Sequence, residues 1–431
     1  MENPPLSKRR PQMPHPPFDY TVEAVTFSNP KVHILLAGTM TLPRGPGPFA
    51  AAILISGSGP EDRDETIFGH KPFAVLADYL TRAGIAVLRF DDRGVEKSGG
   101  DFVSATTDDF ASDVRAAILF LASQPKINPK VIGLIGHSQG GGVGPIAAVD
   151  NPSVAYLVLL AAPATSMTEL LLSQRRIMGV MQGRTEATLA ADEPTLTRLY
   201  EAVAKADDRA VARARVSAML TPSVMKQLSI SAALKPATVD QLTGDWLRVL
   251  LHYDAPSTLA AIHVPMLALN GSLDRQVPSA PNLAAIQHAL TNNPDVTVRQ
   301  LAGAQSSISD RSQRRDCRIF RHQRDVCAAS PSINQRLDQC PVWSSRHATA
   351  NWSTKRNVSS LMRVITLPVH PERGERDLLR QPIAGVEQTC LSRTATMGGD
   401  LLKNSMRPQA GAKWPPRARF CCSIVQSNRW N

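Results

Sequence analysis

A serine hydroxyl is a poor nucleophile until a base takes its proton, so a serine that does chemistry must be held exposed, within reach of a histidine. Residues 131–149, VIGLIGHSQGGGVGPIAAV, give Ser138 such a place: an apolar strand enters a glycine-flanked turn and leaves as a small-residue helix. Gly136-His137-Ser138-Gln139-Gly140 fits the G-x-S-x-G nucleophile elbow, whose tight strand-to-helix turn leaves no room for side chains two positions either side of the serine. The chemistry it implies is attack on an acyl carbon. On its own the pattern also fits an inert glycine-rich turn, and it is KVIGLI before it and GGVGPIAAV after it that favour the elbow.

Attack on a carbonyl needs three further parts. An oxyanion must be held by N–H groups, one from the residue after the nucleophile and one from the loop after an earlier strand. The loop LISGSGPEDRDE, residues 54–65, stands in that position, so Ser58 and Gln139 are the expected donors, an ordinary strand-to-helix loop being the bland alternative. A carboxylate must orient the base, and VPMLALNGSLDRQVP ends in a turn that places Asp274 beyond a late strand. Asp254 and Asp245 compete, but each lies in or at the edge of a helical insertion. The base should be a histidine after Asp274, where His288, His322, His347 and His370 are available. His288 sits in APNLAAIQHAL, a helical stretch ahead of the last strand, and is a weak candidate; the other three sit in patternless sequence.

The elements that must position these residues read as an α/β protein. YTVEAVTF, HILLAGTMTL, FAAAILISGSG, GIAVLRFDDRG, KVIGLIGHS, VAYLVLLAAPA, VPMLALNGSLD and DVTVRQLAG are eight strand candidates. The first two are short and close, as in an antiparallel start, and the rest are nearly all apolar, as strands buried on both faces should be. Helical patterns such as KPFAVLADYLTRAG and DDFASDVRAAILFLASQ lie between them, predicting a mostly parallel eight-stranded sheet with helices on both faces. From Thr165 to Asp254 the strand signal stops, and MTELLLSQRRIMGVM and TLTRLYEAVAKADDRAVARARVSAML predict an all-helical insertion placed as a cap over the site. The expected organisation is a Pro-rich leader at 1–19, core at 20–164, cap at 165–254, core again at 255–303, and a tail at 304–431.

Composition changes at the tail. The net charge of +11 is concentrated there: 21 Lys and Arg face 9 Asp and Glu from Ala304 onward, against 27 and 28 before it. All six cysteines (Cys317, Cys327, Cys340, Cys390, Cys421, Cys422) and four of five tryptophans also lie beyond Gly303. No CxxC-type pair marks a zinc site, so no metal is expected. Trp343, Trp352, Trp414 and Trp430 stand among arginines, but no nucleic-acid fold signature accompanies them, and no specific nucleic-acid partner is expected. No stretch approaches the ~20 apolar residues of a membrane span. MENPPLSKRRPQMPHPPFDY has a basic cluster without the apolar run of a secretory signal, so the default expectation is cytoplasmic.

GSGPEDRDETIFGHKPFAVLADYLTRAGIAVLRFDDRGVEKSGGDF, IGLIGHSQGG and LALNGSLDRQVP, in that order between about Tyr20 and Gly303, resemble the bacterial α/β-hydrolases related to serine aminopeptidases and acyl esterases. The resemblance implies the α/β-hydrolase fold and a serine hydrolase without metal or organic cofactor. In that group the last strand is followed by a loop of the form L-N-H-L-F-Q, whose histidine is the general base; here LAGAQSSISDRSQRRD stands instead. Reading each codon from Ala304 onward in the next frame, with codons freely chosen, turns residues 304–343 into a string that begins LNHLFQ and closes ISDWINARFG. The implied event is a one-base shift near codons 303 and 304, which makes the tail out-of-frame sequence without selected periodicity or a packed core. The expected function is hydrolysis of a small-molecule carboxylic ester through an acyl-enzyme, impaired because the histidine loop is missing. An aminopeptidase-like amide hydrolase and an inactive scaffold are the alternatives, and the oligomeric state is not legible.

Overall fold

A computed structural model describes residues 13–67 and 69–304 of the chain. The expectations placed on the start of the leader, on nearly all of the tail and on His322, His347 and His370 lie outside the described residues.

The eight expected strand segments all form strands and join one sheet. They are β1 (Thr21–Asn29), β2 (Ile34–Leu42), β3 (Phe49–Ile55), β4 (Ala86–Phe90), β5 (Ile127–His137), β6 (Val154–Leu160), β7 (Met266–Gly271) and β8 (Val296–Leu301), in the spatial order β1-β2-β4-β3-β5-β6-β7-β8. β1 pairs antiparallel with β2 and β2 with β4; every later pairing is parallel. Parallel neighbours need a crossover between them, and helices α1 (Pro72–Arg82), α2 (Thr107–Ala122), α3 (Gly140–Ala148) and, after the insertion, α11 (Ser279–Ala289) supply it.

The near-continuous apolar runs are explained by burial on both faces. In β3, Ala51, Ile53 and Ile55 join one core with Val114, Ile118 and Leu121 of α2, Val143 of α3 and Ile286 of α11. Ala50, Ala52 and Leu54 join the opposite core with Phe73, Leu76 and Leu80 of α1. Strand side chains alternate between faces, so a helix-covered sheet needs apolar residues at both parities.

Between β6 and β7 the chain is helical throughout: α4 (Met167–Met181), α5 (Glu186–Ala204), α6 (Arg209–Met219), α7 (Pro222–Gln227), a 3-10 turn, α8 (Lys235–Leu242), α9 (Asp245–His252) and α10 (Ala255–Ala260). These helices have their own apolar cluster, including Leu196, Leu199, Val203, Val216, Leu220 and Leu228. The periodic stretch 195–220 spans the end of α5 and all of α6. Asp208 starts the second: its carboxylate accepts the Val211 N–H at 2.8 Å and N-caps α6, an end that an aspartate stabilises well and a helix interior does not use. A buried carboxylate, Asp192, is held by Arg184 at 2.6 Å within the same helical segment. Among the described residues no helix is long and apolar enough to cross a membrane.

Candidate active site

Parallel strands end at one edge of a sheet, and this edge collects the candidate residues: Ser138 after β5, the loop 56–66 after β3, and Asp274 after β7. Ser138 has φ +51°, the left-handed conformation disfavoured for a residue with a β-carbon. Its backbone N–H is tied to Leu160 O at 2.9 Å at the end of β6, and its carbonyl accepts the Gly141 N–H at 2.9 Å as α3 begins. The flanking glycines are required by contact. A β-carbon on Gly136 would lie 2.1 Å from Gly140 O, and one on Gly140 would lie 2.3 Å from Ile55 O. Half-buried Ser138 therefore rides a compressed turn, and among the described residues its hydroxyl enters no hydrogen bond.

The two expected oxyanion donors flank it differently. Gln139 is the N-cap of α3, and its backbone N–H, at a helix start, has no intrahelical partner. Ser58 is exposed, in a loop whose shape is set by charge. Arg63 grips Asp91 after β4 with Nε at 2.9 Å and Nη2 at 2.6 Å, and donates its backbone N–H to the same carboxylate at 2.9 Å. The Asp92 carboxylate accepts Ser56 Oγ at 2.7 Å and the Glu61 N–H at 3.0 Å. Closer to the elbow, Glu65 Oε1 accepts the Gly57 N–H at 2.8 Å and lies 2.7 Å from His137 Nδ1. A small cleft opens on this donor side, with Gly57, Gly59 and Gln139 in its wall beside Phe102, Phe110 and Val143.

Electrostatics follow from burial and partners. Against the desolvation of its site, hydrogen bonds from Arg63 hold the Asp91 carboxyl below its ordinary value. Burial pushes Asp92 up to about 7, its bonds from Ser56 and the Glu61 N–H opposing the rise. Glu61 is raised to about 8, first by burial and then by the charges of Glu65, Asp92 and Asp62. Burial opposes charge on His137, but Glu65, by charge and hydrogen bond, and then Asp274 raise its pKa.

Asp274 is 6% exposed, and its Oδ1 accepts the N–H groups of Gln276 and Val277, both at 2.9 Å, so the carboxylate builds its own turn. β6 alone separates β5 from β7, which puts the two turns about 10 Å apart from a strand spacing of ~4.8 Å. The competing acids are engaged elsewhere: exposed Asp254 caps α10 through Ser257, and exposed Asp245 sits beside Arg248 and Arg209. His288 is exposed in the last turn of α11, which runs from the end of β7 back to the start of β8, so it lies at the sheet edge opposite Ser138. The structure thus brings together Ser138, Gln139, the Ser58 loop and Asp274, and leaves His288 apart from them.

Glu65, His137 and Asp92 were not singled out as candidates by sequence. The available signal was the run of charges in PEDRDE and DDR, on two loops that follow neighbouring strands and so must meet.

The family model described as serine aminopeptidase, S33 matches residues 71–304. The chain is 31% identical over 143 residues to Esterase EstD of Thermotoga maritima, covering 33% of this chain and 34% of the relative. It is 30% identical over 110 residues to a monoglyceride lipase homolog of Monkeypox virus, covering 25% of this chain and 39% of that one. These alignments span well under half the length of either curated relative. Among solved structures, it is similar to the Pyrococcus furiosus esterase Pf2001, with 16% identity, a TM-score of 0.45, and coverage of 74% of this chain and 91% of that one.

Proposed function

We propose, from the premise that the chain belongs to the serine aminopeptidase S33 family and has the α/β-hydrolase fold, that its site is built to hydrolyse carboxylic esters through an acyl-enzyme. The observation that carries this reading is the elbow: Ser138 at φ +51° between β5 and α3, its hydroxyl in no hydrogen bond among the described residues. Ser138 Oγ attacks the ester carbonyl carbon, and its proton passes to an imidazole. The N–H groups of Ser58 and Gln139 hold the oxyanion as it forms. The tetrahedral adduct collapses, the C–O bond to the alcohol breaks, and the alcohol leaves with the proton. Water repeats the cycle on the acyl-serine and releases the carboxylic acid. Asp274 holds the imidazole in the tautomer that accepts from serine. The esterase among the relatives favours an ester over an amide substrate, and nothing in the sequence marks a site for a peptide terminus.

In this reading the helical segment 165–254 is a cap. Its root touches the acid turn: Gln174 Nε2 donates to Gln276 O at 3.1 Å, and Met167 and Leu170 pack on Val277.

A second reading, an inactive scaffold, is favoured by one observation: among the described residues no histidine is hydrogen-bonded to Ser138. The frame decides between a lost and a never-present base. With the codon choices that the frame reading allows, removing one base near codon 303 gives an L-N-H-L-F-Q loop after β8. The repaired protein is expected to hydrolyse short p-nitrophenyl esters at least ~10³-fold faster than the present chain, the low end of the effect of a missing triad member. Equal rates, with both proteins folded, would overturn the proposal that the base was lost with the frame.

A further inference from the structure

Two segments must be held in register for the oxyanion site to exist: the loop after β3, which carries Ser58, and the elbow, which carries Gln139. Beyond the β3–β5 ladder, one hydrogen-bonded link joins residues 56–66 to residues 136–140 among the described residues, and it runs through Glu65. Its Oε1 accepts from Gly57, the residue before Ser58, and from the imidazole of His137, the residue before Ser138. The convergence is tight. A β-carbon on Gly57 would lie 3.1 Å from Glu65 Oε1, 3.4 Å from His137 Nδ1 and 3.5 Å from Ser138 Cβ.

Glu65 itself is 2% exposed, and it reaches this point with φ +52°, a conformation that its β-carbon disfavours. Its own N–H is fixed to Asp62 O at 2.8 Å, so the backbone strain is imposed by a closed loop. A buried ion pair is weak evidence for stability, since apolar replacements are often neutral or stabilising. What an apolar pair cannot supply is a directional acceptor shared by an N–H of one catalytic segment and an imidazole of the other.

We propose that Glu65 is the positioning residue of the oxyanion site, fixing the Gly57-Ser58 backbone against the nucleophile elbow through His137. This rests on the reading of Ser58 and Gln139 as oxyanion donors. Glu65 does not touch substrate; it acts through the Gly57 N–H and through the imidazole before the nucleophile. His137 Nδ1 is committed to Glu65, and among the described residues no hydrogen bond joins its ring to Ser138.

The test uses the full chain and two variants, Glu65→Ala and Glu65→Gln, with three readouts: amide exchange at Gly57, the imidazole titration of His137 by NMR, and labelling of Ser138 by a fluorophosphonate. The charged groups facing His137 are Glu65 and Asp274, so removing the first leaves the second in place. Glu65→Ala is expected to speed exchange at Gly57, move the His137 titration down, and slow labelling at least ~10-fold, a part of the ~10²–10³ that a lost oxyanion donor costs. Glu65→Gln retains an oxygen acceptor, so it should keep Gly57 protected and label faster than Glu65→Ala while still lowering the His137 titration. If Glu65→Ala does not fold, Glu65→Gln decides: an unchanged His137 titration overturns the proposal. In a folded Glu65→Ala, unchanged exchange at Gly57, or native labelling despite faster exchange, overturns it as well. If the native chain does not label, as a site without its base allows, the labelling arm is run on the frame-repaired protein, and exchange and titration test the tether in the present chain.

Discussion

Gly140→Ala puts a wedge between the two halves of the oxyanion site, and its effect follows from three distances. The new β-carbon would sit 2.3 Å from Ile55 O, 2.5 Å from Ser56 O and 2.9 Å from the Ile55 carbonyl carbon. Even close C···O contacts lie at about 3.3 Å, so the start of α3 must separate from the end of β3 by roughly 1 Å. All three atoms are backbone, and no rotamer change relieves the clash. Overpacking of this kind costs about 1–3 kcal/mol, offset by about 1 kcal/mol because alanine is the better helix former. The melting temperature should therefore fall by only a few degrees. The chemistry should suffer more, since the displaced segments carry the two donors and a ~1 Å misplacement costs on the order of 10²-fold. Gly144→Ala, one turn along the same helix, is the control: its β-carbon would meet only side chains, at 3.4 Å and beyond. It should melt at or above the native temperature and label normally. The assay is thermal melting beside the rate of Ser138 labelling by a fluorophosphonate, and equal labelling by both variants would refute the reasoning.

Ser138→Ala should abolish organophosphonate labelling, because no other serine among the described residues stands on an elbow; persistent labelling would remove Ser138 from the mechanism. Asp274→Asn keeps the oxygen that caps Gln276 and Val277, so the turn should survive. In the present chain it should change ester hydrolysis little; in the frame-repaired protein it should cost on the order of 10⁴, and equal losses in both backgrounds would show that Asp274 does not act through the restored histidine. Asp92 titrates near about 7 in the fold, well above its unfolded range, so the folded state binds that proton more tightly and stability falls as pH rises from about 4 to 7. Asp92→Asn removes this fall: its melting temperature should gain on the native protein from pH 5 to 8, and a pH-independent gap would count against the buried carboxylate.

Much of the fold was legible because its determinants are local. Runs such as FAAAILI and VAYLVLL can be covered on both faces only as inner strands, and their alternation with amphipathic helices dictates a parallel sheet. The elbow was legible for a steric reason, the glycine contacts at Gly136 and Gly140. The helix boundaries inside the insertion were not read from sequence: at Asp208 the apolar period runs on through residues 195–220, and a single capping carboxylate sets the start of α6. The Glu65–His137 pair was missed for a different cause: its partners are 72 residues apart in the chain, and nothing in either segment alone says that the two loops converge.

Each of the segments that carry Ser138, Ser58 and Asp274 is held by its own bonding. The elbow is fixed to β6 through Leu160 O, and the donor loop is fixed to the turn after β4 through Arg63, Asp91 and Asp92. The acid caps its own turn. That turn is also sewn to the end of β8: Ser272 donates its N–H to Leu301 O and Leu273 its N–H to Ala304 O, both at 2.9 Å, and the Gly303 N–H reaches Ser272 Oγ at 2.9 Å. The chain therefore leaves the sheet in contact with the turn that carries Asp274. An extended chain advances at most ~3.6 Å per residue, so a histidine two residues past Ala304 is within reach of that carboxylate, and no other element need move. His288 has no such route. It sits near the far end of an 11-residue helix, roughly 16 Å long at ~1.5 Å per residue, pointing away from the carboxyl edge. On the reading proposed above, the loop after β8 is where a base would meet Asp274, because the chain leaves the sheet beside that turn.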